Sequence, residues 1–301
     1  MTNPAFIAGD WGTSRLRLYL CDASGAVLAR DEGAGAASAD HAARFAAAVA
    51  AWDGAYGKLP AVLGGMVGST IGWKEVPYLT CPARPHSIAA AALRFSHDGR
   101  AIAIAPGLTC TNPAGAPDVM RGEEVQILGA LRLKPELARG RHIVCLPGTH
   151  TKWAVVEEGS VIQFQTALSG ELFQLLAAHS VLARGGGTPD GTSAAFAQGI
   201  GFARTNTGGL LHALFSTRSR VVTGQIAKSE AASYLSGLIL GADVAGATAL
   251  FGVAGAVWLV CTPQLASLYD AALQAFNLSG QVIDGDDAAL AGLVQIQAEL
   301  T

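Results

Sequence analysis

Two short stretches of the chain have residues suited to handling phosphate. Gly9-Asp10-Trp11-Gly12-Thr13-Ser14-Arg15 closes an apolar run with an acid and turns at once through Gly-Thr-Ser. Leu146-Pro147-Gly148-Thr149-His150-Thr151-Lys152 repeats the Gly-Thr turn without the acid. Glycine has no Cβ, so a phosphate can come close to the main chain, where backbone N–H groups and the threonine hydroxyl meet it. One such turn alone is an ordinary hairpin. Two at matching places would clamp a nucleoside triphosphate from both sides. Asp10 ends a strand beside the first turn, where an Mg²⁺ ion bridging the phosphates takes a carboxylate, usually through water. One such acid is enough, so the second turn can carry Leu146 instead.

Other catalytic devices are missing. The chain has no G-x-x-x-x-G-K-[ST] loop and no G-x-G-x-x-G after a strand. It has no H-R-D or D-F-G set, no G-x-S-x-G elbow and no H-E-x-x-H pair. A second acidic feature is Glu123-Glu124, placed in the first turn of a helix expected over Gly122–Leu133. Acids there complement the helix dipole whether or not they do chemistry.

The elements that must position these residues read as a β-meander, then a repeat of it. Phe6–Asp10 is a strand. Arg15–Cys21 alternates, with Leu16, Leu18 and Leu20 on one face and Arg15, Arg17 and Tyr19 on the other. A turn at Asp22–Gly25 leads to a third strand. Ser38–Trp52 predicts a helix with Ser38 or Asp40 as its N-cap. Ala61–Gly65 is a short strand running into a glycine-rich loop that ends at Trp73. Ser87–Phe95 reads as helix and Ala101–Ala105 as a buried strand. The Pro- and Gly-rich stretch Pro106–Pro117 is the expected domain boundary. From Arg141 the strand–turn–strand pattern returns, with Gly12-Thr13 falling on Gly148-Thr149. Such a repeat suggests two similar domains. The rest is mostly helical, closing with a strand at Ala256–Val260, a helix, a strand over Gly280–Asp284 and a last helix.

Composition bounds the rest. The chain has 301 residues, 50% hydrophobic and 14% charged, enough for two domains. A net charge of -3 leaves no basic footprint for nucleic acid. Five cysteines without C-x-x-C spacing suit a reducing compartment better than a disulfide framework or a zinc site. The opening residues lack the pattern of a secretory signal. Val244–Cys261 carries no charge and is long enough to span a bilayer, but Gly246, Gly252 and Gly255 punctuate it. A helix end, a loop and a buried strand are expected there instead.

The order of Asp-x-Gly-Thr hairpin, acidic helix start, second Gly-Thr hairpin and strand–loop–helix resembles the actin, hexokinase and Hsp70 ATPase superfamily. More narrowly, GDWGTSRLRLYL, GGMVGSTIGWKEVPYLTCPA, PDVMRGEEVQILGAL, LPGTHTKWA and SGELFQLL resemble the 2-dehydro-3-deoxygalactonokinases, over nearly the whole chain. The resemblance implies an α/β fold of two similar ribonuclease-H-like domains, mixed sheets flanked by helices, around an ATP cleft. The division expected is 1–119 and 120–301, with the last helix free to pack back on the first domain. It also implies roles. Asp10, Gly12, Thr13 and Ser14 match the first phosphate motif, Asp10 beside the metal, and Gly148, Thr149 and His150 match the second. RGEEVQILGA stands where related sugar kinases carry their catalytic aspartate, so Glu123 falls on the base, with Asp118 and Glu124 as rivals. The adenosine site falls at Thr262, with Gly224 a second candidate. Gly65, Met66, Ser69 and Trp73 belong to the sugar-acid loop, and Lys74, Arg84 or Arg121 would meet the substrate carboxylate.

The implied activity is ATP- and Mg²⁺-dependent phosphorylation of 2-dehydro-3-deoxy-D-galactonate at its C6 hydroxyl, in galactonate catabolism in the cytoplasm. Expected partners are the sugar acid and ATP, with no nucleic acid and no membrane, and a homodimer is compatible with the sequence. The alternatives are a kinase of the same fold acting on another sugar or amino sugar, or a nucleotide-gated member that is not a kinase.

Overall fold

The computed structural model describes residues 3–37 and 40–300. Its contacts divide the chain into two compact units. Unit 1 comprises Met1–Arg141, Val156–Gln163 and Gly285–Thr301; unit 2 comprises His142–Val155 and Phe164–Asp284.

In unit 1 the opening meander forms as its alternation dictates. Strands β1 (Pro4–Trp11), β2 (Arg15–Asp22) and β3 (Val27–Ala34) pair antiparallel in sequence. Helix α1 (His41–Tyr56) is N-capped by Asp40, whose carboxylate accepts the Ala43 N–H; Ser38 lies outside the described residues. Strand β4 (Ala61–Gly65) then runs parallel to β1. Leu16, Leu18 and Leu20 are buried with Phe45 and Val49 of α1 in one core.

Two expectations fail next. Ser87–Phe95 is not one helix: a short helix α2 (Pro85–Ala90) gives way to strand β6 (Leu93–His97). The cause is the Asp98-Gly99 turn, both residues at positive φ, which folds β6 antiparallel onto β7 (Arg100–Ile104). Nor is Pro106–Pro117 a linker. It holds β8 (Leu108–Thr111), which forms a small sheet with β5 (Leu79–Thr80) and β9 (Pro117–Met120). Unit 1 continues past residue 119 to Arg141, through helix α3 (Glu123–Leu133).

Helix α3 packs on α10 (Gly285–Leu300) at backbone range. A Cβ on Gly129 would lie 1.7 Å from the Ala288 carbonyl, and one on Gly292 would lie 1.9 Å from the Val125 carbonyl. Only hydrogen fits at either position. Gln126 adds a hydrogen bond from Nε2 to the Gly285 carbonyl, 3.1 Å. The main sheet has the order β3-β2-β1-β4-β7-β6.

The repeat legible in the sequence reappears as a second sheet. Strands β10 (Arg141–Leu146), β11 (Thr151–Glu157), β12 (Ser160–Ala167), β13 (Ala256–Cys261) and β14 (Ser279–Asp284) have the order β12-β11-β10-β13-β14. That matches β3-β2-β1-β4-β7. Strands β10, β13 and β14 are parallel. Unit 2 also holds α4 (Ser169–His179), α5 (Ala194–Thr205), α6 (Gly209–Ala213), α7 (Ser216–Val222), α8 (Ala231–Phe251) and α9 (Pro263–Gln274). Among the described residues one helical stretch, Lys228–Phe251, is long and apolar enough to cross a membrane, but 61% of its most apolar window is buried inside the protein. It ends at Gly252, and Ala256–Cys261 is the buried strand expected.

Candidate active site

Parallel pairing sets Asp10 beside Gly64 and Trp11 beside Gly65. Gly65 has φ 87°, and a Cβ there would lie 2.8 Å from the Trp11 carbonyl and 3.6 Å from Asp10 Oδ1. The start of α3 arrives at the same point: a Cβ on Gly122 would be 3.5 Å from Gly65 Cα, and one on Gly64 would be 2.9 Å from the Val125 side chain. The end of β1, the Gly64-Gly65 step and the first turn of α3 therefore meet within unit 1. Sequence reasoning assigned Gly65 to the sugar loop; its position also brings Asp10 and the Gly122 end of α3 together.

Asp10 is half-buried. Its Oδ2 accepts from Arg17 Nη1 at 3.0 Å, and Arg17 Nη2 lies 3.0 Å from Asp286 at the head of α10. Burial raises the Asp10 carboxyl above the usual carboxylate range, and Arg17 pulls it back. The turn Gly12-Thr13-Ser14 follows. Thr13 and Ser14 are exposed, and the turn is shaped by the Gly12 N–H on the Arg15 carbonyl, 2.9 Å. The Ala36 and Ala37 N–H groups bond the Gly12 and Thr13 carbonyls from behind. The turn's hydroxyls thus stay open while its carbonyls are occupied.

The two acids of α3 have different environments. Glu123 is half-buried, and its Oε2 accepts the Arg121 N–H at 3.1 Å. Glu124 is fully buried; its Oε2 accepts the Gly122 N–H at 2.7 Å and its Oε1 has no hydrogen-bond partner. Burial, with the neighbouring Glu123 charge, pushes Glu124 up to about 8. Burial thus favours the neutral acid near pH 7. Asp118 belongs to the small sheet, its Oδ1 taking the Val119 N–H at 2.8 Å.

The sugar-loop residues separate into open and packed. Met66 is half-buried beside Gly65, and the Ser69 hydroxyl donates to the Met66 carbonyl at 2.7 Å. Trp73, expected to stack on substrate, is instead packed among Phe45, Phe95 and His97, with ring centroids 5.1–5.7 Å away. Arg121 braces the loop, donating from Nη2 to the Val76 carbonyl at 2.8 Å with its guanidinium 4.4 Å over the Tyr78 ring. Its Nε and Nη1 are covered and have no hydrogen-bond partner. Lys74 is exposed, with its ammonium 4.9 Å over Phe95. Arg84 is engaged elsewhere, Nε donating to Ser160 at 2.8 Å in a groove with Glu157 and Glu158.

In unit 2, Thr149 and His150 are exposed at the second turn. Helix α4 seats beneath it. A Cβ on Gly170 would fall 2.2 Å from the Gly148 carbonyl, the Glu171 N–H bonds the Thr149 carbonyl at 2.9 Å, and His150 Nε2 meets Glu171 at 2.5 Å. Thr262 is exposed at the N-terminus of α9, its carbonyl accepting the Ala266 N–H. Gly224 closes α7, its N–H on the Val221 carbonyl and its φ at 73°, as a helix end requires.

Sequence reasoning missed Asp243. It lies in α8, and its carboxylate accepts from Trp153 Nε1 at 2.8 Å, Ser169 Oγ at 2.6 Å and Tyr269 OH at 2.8 Å. Tyr269 OH in turn meets Thr151 Oγ1 at 2.8 Å. Arg17 was read only as the polar face of a strand. No short-range pattern marks either role.

An acid-bearing Gly-Thr hairpin, its acid-free repeat and paired sheets of one strand order define an α/β chain of the actin/hexokinase-like ATPase class. The chain belongs to the 2-keto-3-deoxy-galactonokinase family, whose model matches residues 10–296. It is 37% identical over 97% of both chains to a Rhizobium meliloti (strain 1021) protein named "Probable 2-dehydro-3-deoxygalactonokinase". It is 35% identical over 97% of both chains to the 2-dehydro-3-deoxygalactonokinase of Escherichia coli K12. A crystal structure from Sinorhizobium meliloti whose protein carries the same provisional designation superposes with a TM-score of 0.89 at 37% identity, covering 98% of this chain and 97% of that one.

Proposed function

We propose that the protein transfers the γ-phosphoryl group of ATP to the C6 hydroxyl of 2-dehydro-3-deoxy-D-galactonate, yielding the 6-phosphate and ADP in galactonate catabolism. Family membership over residues 10–296 carries this reading. The convergence of Asp10, Gly65 and the α3 start supports the assignment of residues.

Glu123 accepts the C6 hydroxyl proton as the oxygen–phosphorus bond forms and the bond to ADP breaks. In a loose transition state that proton moves late, so the base orients the hydroxyl and takes up its proton as bond formation to phosphorus makes it acidic. The hydroxyls of Thr13, Ser14 and Thr149, with their backbone N–H groups, bind phosphate oxygens. Thr262 at the head of α9 lies against the adenosine. Met66 and the Gly65 backbone line the sugar acid, while Arg121, braced on Val76 and Tyr78, holds the loop and contributes positive charge towards the carboxylate.

Asp10 fits a magnesium site. It is a half-buried carboxylate at a phosphate turn, and no cluster of three His, Cys, Asp or Glu among the described residues would cage a metal by protein groups alone. That suits an ion held chiefly by phosphate and water oxygens. When bound, Mg²⁺ neutralises charge across the β- and γ-phosphates. Arg17 fixes the Asp10 carboxylate through Oδ2.

An ATP-coupled assay tests the proposal. Turnover of the galactonate-derived keto acid well above that of its C4 epimer and of neutral hexoses is expected; equal turnover of both epimers, or preference for a neutral hexose, overturns the substrate. A nucleotide-bound crystal structure must show Thr13 and Thr149 on the same triphosphate. A cytoplasmic homodimer completes the reading, its oligomeric state checked by light scattering.

A further inference from the structure

One buried carboxylate links the elements around the second hairpin. Thr151 and Trp153 lie two residues apart on β11, immediately after the turn, and both are fully buried. Ser169 opens α4, the helix whose next residue, Gly170, touches the turn through backbone atoms. Tyr269 is a buried residue of α9, which Thr262 precedes as N-cap. Asp243 of α8 joins all three elements, taking donors from Trp153, Ser169 and Tyr269, with Thr151 linked through the tyrosine hydroxyl. No Lys or Arg pairs with Asp243 in the described structure, so the anion is satisfied by three neutral donors.

We infer that Asp243 is a positioning residue for nucleotide binding: it fixes the Gly148-Thr149 turn relative to the head of α9, and so sets the spacing between the phosphate and adenosine contacts. The inference rests on the reading of unit 2 as the ATP-binding unit. The hydrogen-bond inventory supports it. Thr151 Oγ1 donates to Tyr269 OH, which donates to Asp243, so the strand leaving the turn and helix α9 cannot shift independently without breaking a buried hydrogen bond. Ser169 links the third element to the same acceptor, and buried networks of this kind hold their members in one arrangement when every donor is satisfied.

The inventory also separates geometry from charge. Asparagine at 243 can accept from Trp153 through Oδ1 and donate from Nδ2 to the Ser169 and Tyr269 hydroxyls, which rotate to receive it. Alanine can do neither.

The test is ATP and ADP binding by calorimetry, with KM for each substrate, on the full chain. Asp243→Ala is expected to weaken nucleotide binding and raise KM for ATP at least tenfold, leaving KM for the sugar acid within twofold. Asp243→Asn is expected to stay within about threefold of wild type in both. Should the alanine variant fail to fold, Tyr269→Phe supplies the measurement: it cuts the Thr151 link, leaves Asp243 two donors, and should raise KM for ATP alone by about threefold or more. A folded alanine variant, or failing that a folded Tyr269→Phe variant, that binds nucleotide like wild type overturns the inference. So does an equal rise in both KM values, or an asparagine variant as impaired as alanine. A wild-type protein that binds neither ATP nor ADP overturns instead the reading of unit 2.

Discussion

Arg17 Nη1 sits 3.0 Å from Asp10 Oδ2, directly across the β1–β2 pair, and the same guanidinium reaches Asp286 with its other nitrogen. The acid proposed beside the metal is therefore clamped from its own hairpin. Arg17→Met should lower kcat about tenfold. It should cost less than about 1 kcal/mol of stability, because the pair is partly exposed. Steady-state kinetics with a urea titration checks both. Wild-type kcat in a folded variant would mean the clamp has no part in turnover.

Asp10→Asn keeps the shape of the strand end and removes the charge. Turnover should fall by 10²-fold or more with the fold intact, the scale for losing one designed electrostatic contact at a reacting phosphate. Near-normal activity at saturating Mg²⁺ would reduce Asp10 to a turn-stabilising residue.

Glu123→Gln should lower kcat by roughly 10²-fold or more with little change in sugar-acid affinity, as loss of a general base does. Single-turnover measurements separate the chemical step from product release. A silent Glu123 would move the base to another residue without touching the fold.

Glu124→Gln should leave turnover near wild type at pH 7, since glutamine mimics the protonated acid already present and can still accept the Gly122 N–H. Its effect should appear in stability against pH. The Glu124 carboxyl titrates near 4.5 when unfolded and near 8 when folded. Between those values the unfolded chain releases a proton that the folded one keeps, so wild-type stability falls as pH rises from about 4.5 to about 8 and then levels. The glutamine variant should lack that decline. The gap corresponds to an order of about 3–5 kcal/mol. Denaturant midpoints for both proteins at pH 5 and pH 8 measure it, and parallel trends would show that Glu124 does not hold its proton.

Gly129→Ala should cost about 3 kcal/mol and reduce turnover, because a methyl at that site meets the Ala288 backbone rather than a movable side chain. Gly246→Ala, in α8 with nothing within 4 Å of the added methyl, should stabilise by about 0.5–1 kcal/mol. Chemical denaturation of the pair distinguishes packing at the α3–α10 crossing from ordinary helix propensity.

Much of the architecture was legible because it is written at short range. The two-residue alternation of Arg15–Cys21 specified β2, and the recurrence of Gly-Thr at 148–149 specified the second sheet. Local patterns also misled. Alanines at 89–92 extended the expected helix across Leu93–Phe95, although the Asp98-Gly99 turn signalled a hairpin. Prolines and glycines around 106–117 suggested a boundary where the chain instead makes the central strand of a small sheet. Trp73 looked available to a ligand because sequence does not show that Phe45 and Phe95 surround it. Asp243 was illegible for a different reason. Its donors lie 26, 74 and 90 residues away, and no periodicity links them.

The α3–α10 crossing sets an order of assembly. Gln126 and Gly285 are 159 residues apart, and nearly all of unit 2 lies between them. As the chain leaves the ribosome, α3 emerges with its glycine-lined face bare and stays so until that whole stretch has been made. Unit 2 can gather its own core in the interval, while unit 1 waits for a helix encoded far downstream. The helix that carries the proposed base is thus seated by a segment made only after nearly all of unit 2, and a chain arrested before Gly285 would hold a nearly complete unit 2 and an α3 that still lacks its α10 partner.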